Sequence, residues 1–115
     1  MDLVLNAEMI RDGGSLAVSF KCADGSDYTL FFKLDYFVNE NGEHERRGYL
    51  PPVVMHRLYG TEISVSWPHA EILLGQMLGM ARSKGHRKWI ETMIEVVGSR
   101  GGLPSSIGRH YCGNR

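Results

Sequence analysis

The side chains that could do chemistry are five histidines, His44, His56, His69, His86 and His110, and two cysteines, Cys22 and Cys112. A metal site needs ligands that meet in space. Its simplest signature is a pair at i, i+4 on a helix or a pair in one tight turn. No two of these histidines have that spacing. His69 and Glu71 stand two apart and point to different faces of a helix. His110 and Cys112 make the nearest approach to a liganding pair, and no further ligand stands beside them. They are also the one nucleophile–base pairing on offer. A catalytic cysteine wants a lowered pKa and a rigid seat such as a helix N-terminus, which a glycine-rich tail does not supply. Cys22 reads as a small buried hydrophobe in a strand. The residues point to no catalytic group, no metal and no cofactor.

Two other arrangements carry binding chemistry. The run Arg82-Ser83-Lys84-Gly85-His86-Arg87-Lys88 concentrates positive charge between two helical segments. Its basic residues Arg82, Lys84, Arg87 and Lys88 could hold an anion, joined by Arg100, Arg109 and Arg115, or could simply complement the end of the first helix. Formal net charge is zero, which argues against tight generic binding of nucleic acid. Asp12-Gly13-Gly14 and Ser99-Arg100-Gly101-Gly102 are turns that lack the strand-to-helix context of a phosphate loop. A small enzyme or ligand-binding domain would place its pocket between sheet and helices, lined by Tyr49, His56, Tyr59, Glu62 and His69.

Aromatic residues cluster in the first part of the chain: Tyr28, Phe31, Tyr36, Phe37, Tyr49, Tyr59 and Trp67. Leu30 and Phe32 share one face of a strand, so Phe31 falls on the other. An exposed aromatic beside Asp27, Asp35, Glu40 and Glu43 has the character of a protein-binding hot spot with an acidic rim. Phe31, Asp35, Tyr36, Glu40, Glu43 and Glu45 form the candidate surface. The charge distribution is uneven, and could either present one acidic and one basic surface or fold the two against each other. Residues 1–45 hold nine acidic and three basic residues, and the remainder holds four and ten, about −6 against about +6.

The elements that must position these residues follow from periodicity. Ala70, Leu73, Leu74, Met77, Leu78 and Ala81 trace one broad helical stripe, with Pro68 suited to the first turn, Glu71 placed there with it, and Gly85 offered as the stop. Trp89, Ile90, Met93, Ile94 and Val97 trace a second, ended by Gly98 or Gly101. Upstream, the period is two. Leu3, Leu5 and Ala7 share a face, as do Leu16, Val18, Phe20 and Cys22, then Tyr28, Leu30, Phe32 and Leu34, and finally Ile63, Val65 and Trp67. Asp35–Val38 continues extended or bends. Asn39–Glu43 reads as a hairpin loop, and His44–Leu50 as a charged return strand near an edge, stopped by Pro51-Pro52. Val53–Gly60 suits either a strand or a single helical turn. The sum is an α+β fold, an antiparallel sheet of about five strands covered on one face by two C-terminal helices. The whole is one domain: a strand-rich part at 1–67, helices at 68–98 and an irregular tail at 99–115.

The 115 residues, 43% apolar and 23% charged, match an ordinary globular composition with room for a core. No leader or membrane span opens the chain, so the expectation is a cytoplasmic protein. In size, acidic strand-rich front and helical rear it resembles the compact α+β immunity proteins with which bacteria neutralise polymorphic or contact-dependent toxins. That resemblance implies occlusion of a toxin's active site, with Asp35, Glu40, Glu43 and Glu45 meeting a basic surface. The expected partner is another protein, such as a toxin domain. A second copy of the chain stays open, and membrane and nucleic acid are not expected.

Overall fold

The computed structural model describes residues 6–9 and 16–103. Among the described residues, seven strands precede two helices: β1 (Asn6–Met9), β2 (Leu16–Lys21), β3 (Asp27–Phe32), β4 (Leu34–Val38), β5 (His44–Tyr49), β6 (Val53–His56), β7 (Glu62–Ser64), α1 (Trp67–Met80) and α2 (Lys84–Gly98). Five strands form one antiparallel sheet in the order β1-β2-β3-β6-β7. The other two, β4 and β5, pair only with each other. The fold is α+β, with its helices C-terminal to its strands. The expectations resting on Leu3, Leu5, Asp12-Gly13-Gly14, Arg109, His110, Cys112 and Arg115 lie outside the described residues.

The helices roof one face of the five-stranded sheet. Leu16, Val18 and Phe20 of β2 and Leu30 and Phe32 of β3 meet Ala70, Leu74 and Met77 of α1 and Ile90, Met93, Val96 and Val97 of α2 in a single core. Each of these side chains larger than alanine, withdrawn from water, contributes on the order of 1.5–3 kcal/mol before chain entropy is set against it. Trp89 ties the layers together by donating its indole N–H to the Ala17 carbonyl at 2.8 Å. Ala17 and Ser19, on the alternate face of β2, are also buried, and the Ser19 hydroxyl is satisfied by Thr29 Oγ1 at 3.1 Å. Strand β2 is therefore buried on both of its faces.

Several boundaries differ from the periodic reading. The alternation Tyr28–Leu34 spans two elements, because the chain leaves the main sheet at Lys33 and Leu34 opens β4. The ambiguous segment at 53–60 is strand β6 followed by a turn. The last strand covers three residues, and Ile63, aligned with Leu30 and Val54 across the sheet, is still 60% exposed at its outer edge. Trp67 belongs to α1, not to a strand, and packs on Phe32 with ring centroids 6.1 Å apart.

Serines set both helix starts. Ser66 Oγ accepts from the His69 N–H at 3.2 Å, and Ser83 Oγ from the His86 N–H at 3.0 Å, each satisfying a donor that the helix leaves open. With Ser66 as cap, Glu71 falls beyond the first turn. Gly85 is not the stop of α1. It sits in the first turn of α2, and α1 ends where Ala81 turns extended (φ −71°, ψ 127°). At the end of α2, Arg100 takes φ 54° and Gly101 φ 97°. Arg100 N–H bonds Val97 O at 3.0 Å and Gly101 N–H bonds Val96 O at 2.8 Å, the double closure of a Schellman motif.

Candidate functional site

The β4–β5 hairpin gathers five of the six residues expected to form a protein-binding surface: Asp35, Tyr36, Glu40, Glu43 and Glu45. Phe31 is not with them. It lies in β3 on the face away from the core, in register with Ala17 and Val53, with the Lys33 ammonium 5.6 Å from its ring centre. Among the described residues, neither hairpin strand packs extensively on any element but its partner.

The hairpin's sequence dictates its form. Asn39 organises the tip: its Oδ1 accepts from the N–H groups of Asn41 and Glu43, both at 2.9 Å. Its own N–H donates to Glu43 O at 2.8 Å. This is the local bonding that makes asparagine a turn residue. Gly42 takes the left-handed φ of 78° that closes the turn. Asn39 Nδ2 also donates to Glu45 Oε1 at 2.8 Å, so Glu45 is held while Glu40 projects into water.

Period two then sorts the side chains. Tyr36, Val38 and His44 share one face. The Tyr36 ring stacks on His44 at 4.9 Å, and Tyr36 and Val38 are 49% and 58% exposed. Phe37, Glu45 and Arg47 share the other, where the Arg47 guanidinium sits 4.2 Å from the Phe37 ring centre, a cation–π contact. A register shift between Asp35 and Tyr36 bends the ladder between root and tip. The result is an exposed aromatic–aliphatic face leading to a carboxylate-bearing tip. Val38 and His44 were absent from the expected surface. Their membership follows from Tyr36, since Val38 at i+2 shares its side and His44 is the cross-strand partner of Val38 once Asn39–Gly42 is taken as the turn.

The root is firmly attached. Tyr49, 5% exposed, packs against Phe32, and Leu50 N–H bonds Lys33 O at 2.8 Å. Gly48 (φ 143°) lies against the Gly101 carbonyl so closely that a β-carbon would collide with it.

The five residues expected to line a pocket between sheet and helices do not come together. Tyr49 is in the core. Glu62 pairs with Lys33 at 3.9 Å. His69 is exposed in the first turn of α1. Only His56 and Tyr59 meet, with ring centroids 4.7 Å apart, and Tyr28 meets the His56 ring edge-on at 4.9 Å. His56 and Tyr59 border an open concavity of about 620 Å³ between the β2–β3 and β6–β7 turns, shared with Asp24, Ser26, Asp27, Arg57 and Leu58. His56 Nδ1 accepts from the N–H groups of Leu58 and Tyr59 at 3.2 and 3.4 Å, which leaves the ring proton on Nε2. His56 thus shapes its own turn. Asp24 accepts from Ser26 N–H at 2.9 Å. That backbone bond first, and the Ser26 hydroxyl second, hold its carboxyl below the usual aspartate range. Burial, reinforced by the Asp24 carboxylate, pushes the Cys22 thiol up, so it stays protonated at neutral pH. Among the described residues no group of three His, Cys, Asp or Glu side chains is placed to hold a metal ion.

The basic run divides. Arg87 Nη1 donates to Leu78 O at 3.1 Å, satisfying a carbonyl in the last turn of α1. Arg82, Lys84 and Lys88 point into solvent. No described helix is long and apolar enough to cross a membrane. Set against known protein families, curated proteins and solved structures, the chain matches none.

Proposed function

We propose that this chain is a protein-binding module that docks through the β4–β5 hairpin, and that in its specific form it works as an immunity-type inhibitor. Tyr36 and Val38 supply the apolar anchor, and the carboxylates of Glu40 and Glu43 at the tip meet a basic patch on the partner. The observation that carries this reading is the hairpin's isolation. It holds a large aromatic and a valine half in water, away from the core, and supports them by a rigid asparagine-centred tip and a buried root. An apolar centre with a charged border suits specific recognition, the anchor giving affinity and the rim giving steering and register. A hairpin of this kind blocks an active site by filling its mouth.

The test is capture from native lysate on the immobilised chain, beside the same chain carrying Tyr36→Ala, Glu40→Lys and Glu43→Lys. None of these positions enters the core, so circular dichroism should be unchanged. One stoichiometric partner, lost from the triple variant by at least about tenfold in affinity, supports hairpin docking. A partner held equally by both chains overturns it. The inhibitory form requires more: the recovered partner must possess an activity that one equivalent of the chain abolishes, and a partner whose activity is untouched rules that form out.

A further inference from the structure

We infer that the turn after β6 is a proton-operated latch: neutral His56 holds its tip, Leu58 and Tyr59, closed, and a protonated His56 releases the tip and turns to Asp24. The latch is made of hydrogen bonds. His56 Nδ1 accepts from the N–H groups of Leu58 and Tyr59 at 3.2 and 3.4 Å. Only the neutral imidazole has a nitrogen that can accept. Protonation turns Nδ1 into a donor, and two backbone N–H groups then face a third N–H. Both bonds are lost together.

The hairpin tip shows the same device in fixed form. Asn39 Oδ1 accepts from the N–H groups two and four residues further on, and an amide oxygen accepts at any pH. Histidine is the side chain that ordinarily changes charge between about pH 5 and 8. One turn is thus closed by a permanent acceptor and the other by an acceptor that a proton removes.

An acid-side partner stands ready. Asp24, in the β2–β3 turn, lines the same concavity as His56 and makes no ion pair among the described residues. Its carboxyl is held below the usual aspartate range, chiefly by the Ser26 N–H and in smaller part by the charge on His56. It is therefore anionic wherever a histidine titrates, and the two groups sense each other. An imidazolium gives up two backbone donors and gains a carboxylate, the stronger kind of acceptor. The other groups around the ring do not choose between the forms. Tyr28 and Tyr59 pack on it through their rings. Arg57 repels a second positive charge, and Asp27, which attracts it, is already paired with Lys21 at 3.8 Å.

The motion is confined to the tip. His56 N–H donates to Thr61 O at 2.9 Å, Gly60 N–H to His56 O at 2.7 Å and Arg57 N–H to Asp27 O at 2.9 Å. None of these bonds uses the imidazole, so β6 and the base of the turn keep their places. Leu58 and Tyr59, 77% and 75% exposed, are what is set free. Acid then alters the display of two large apolar side chains without unfolding the sheet.

NMR of the full chain from about pH 8.5 to 5 tests this. At the alkaline end, the ring-nitrogen shifts of His56 should place the proton on Nε2. As pH falls, the Leu58 and Tyr59 amides should move with the His56 ring at one shared midpoint and become more mobile by heteronuclear NOE, while the His56 and Gly60 amides do not. His56→Asn supplies an acceptor that no proton removes, so the Leu58 and Tyr59 amides should hold still across the range. Asp24→Asn withdraws the acid-side partner, and the same transition should need a more acidic solution. A proton on Nδ1 at the alkaline end, Leu58 and Tyr59 amides that ignore the His56 titration, amides that still titrate in His56→Asn, or a transition unmoved by Asp24→Asn each overturns the latch. The two wild-type readouts decide it even where a variant folds poorly.

Discussion

The Gly101 carbonyl, in the turn that closes α2, accepts a 2.6 Å hydrogen bond from the Tyr49 N–H at the root of the hairpin. Two backbones approach closely here because Gly48 and Gly101 have no side chains. A β-carbon on Gly48 would strike the Gly101 carbonyl, one on Gly101 would strike the Tyr49 carbonyl and crowd the Trp67 ring, and both residues hold positive φ. Gly48→Ala and Gly101→Ala should each destabilise the fold by about 2 kcal/mol or more. Urea denaturation read by tryptophan fluorescence measures this. A loss below about 0.5 kcal/mol in both would mean that the two segments part without consequence.

Arg100 should behave in the opposite sense. It holds the left-handed position of the Schellman motif at φ 54°, which favours glycine, and its side chain is exposed. Arg100→Gly should stabilise the protein by about 0.5–1 kcal/mol, and Arg100→Ala should not. Paired thermal melts separate the two. Equal midpoints would show that backbone strain at this residue is negligible.

Asp24 sets an acid dependence. Its folded pKa lies below the 3.8 of a free aspartate, chiefly through the Ser26 N–H. Folding therefore favours the carboxylate. The contribution is fully present above the unfolded value and is lost as pH falls through the lower folded one. Stability measured between pH 2 and 6 should fall less steeply for Asp24→Asn than for the parent chain, and carboxyl NMR should place the Asp24 midpoint below 3.8. Ser26→Ala should move that midpoint only part of the way back, because the backbone donor remains. A full return would assign the effect to the hydroxyl instead.

How much of this could be read from the residues depends on what local pattern can report. Period three-to-four along Ala70–Ala81 and Trp89–Val97 identifies both helices and their buried stripes, because each has one wet side. Period two identifies β2 through Leu16, Val18 and Phe20. It does not reveal that Ser19 is buried, since a serine bonded to Thr29 looks like any solvent-facing serine. Nor does it report partners. Tyr28, Leu30, Phe32 and Leu34 alternate without a break, yet β3 pairs with β6 while Leu34 has already joined the hairpin. Gly85 looks like a stop and Ser83 does not announce itself as a start, because capping depends on a hydrogen bond to the backbone rather than on composition. The hairpin and its acidic tip were legible from Asn39–Glu43. The meeting of His56 with Tyr59 beside Asp24 was only half legible, since it needs two turns from separate parts of the chain.

The chain departs from the main sheet at Lys33 and rejoins the body at Leu50, and these two residues are hydrogen-bonded to each other. Departure and return are thus neighbours, and residues 36–47 form an excursion closed at its base. The excursion can be lengthened, shortened or exchanged without rethreading any other strand, provided that Gly48 and Tyr49 keep their seat. A scaffold built in this way can change the length and sequence of that excursion while the fold beneath stays the same.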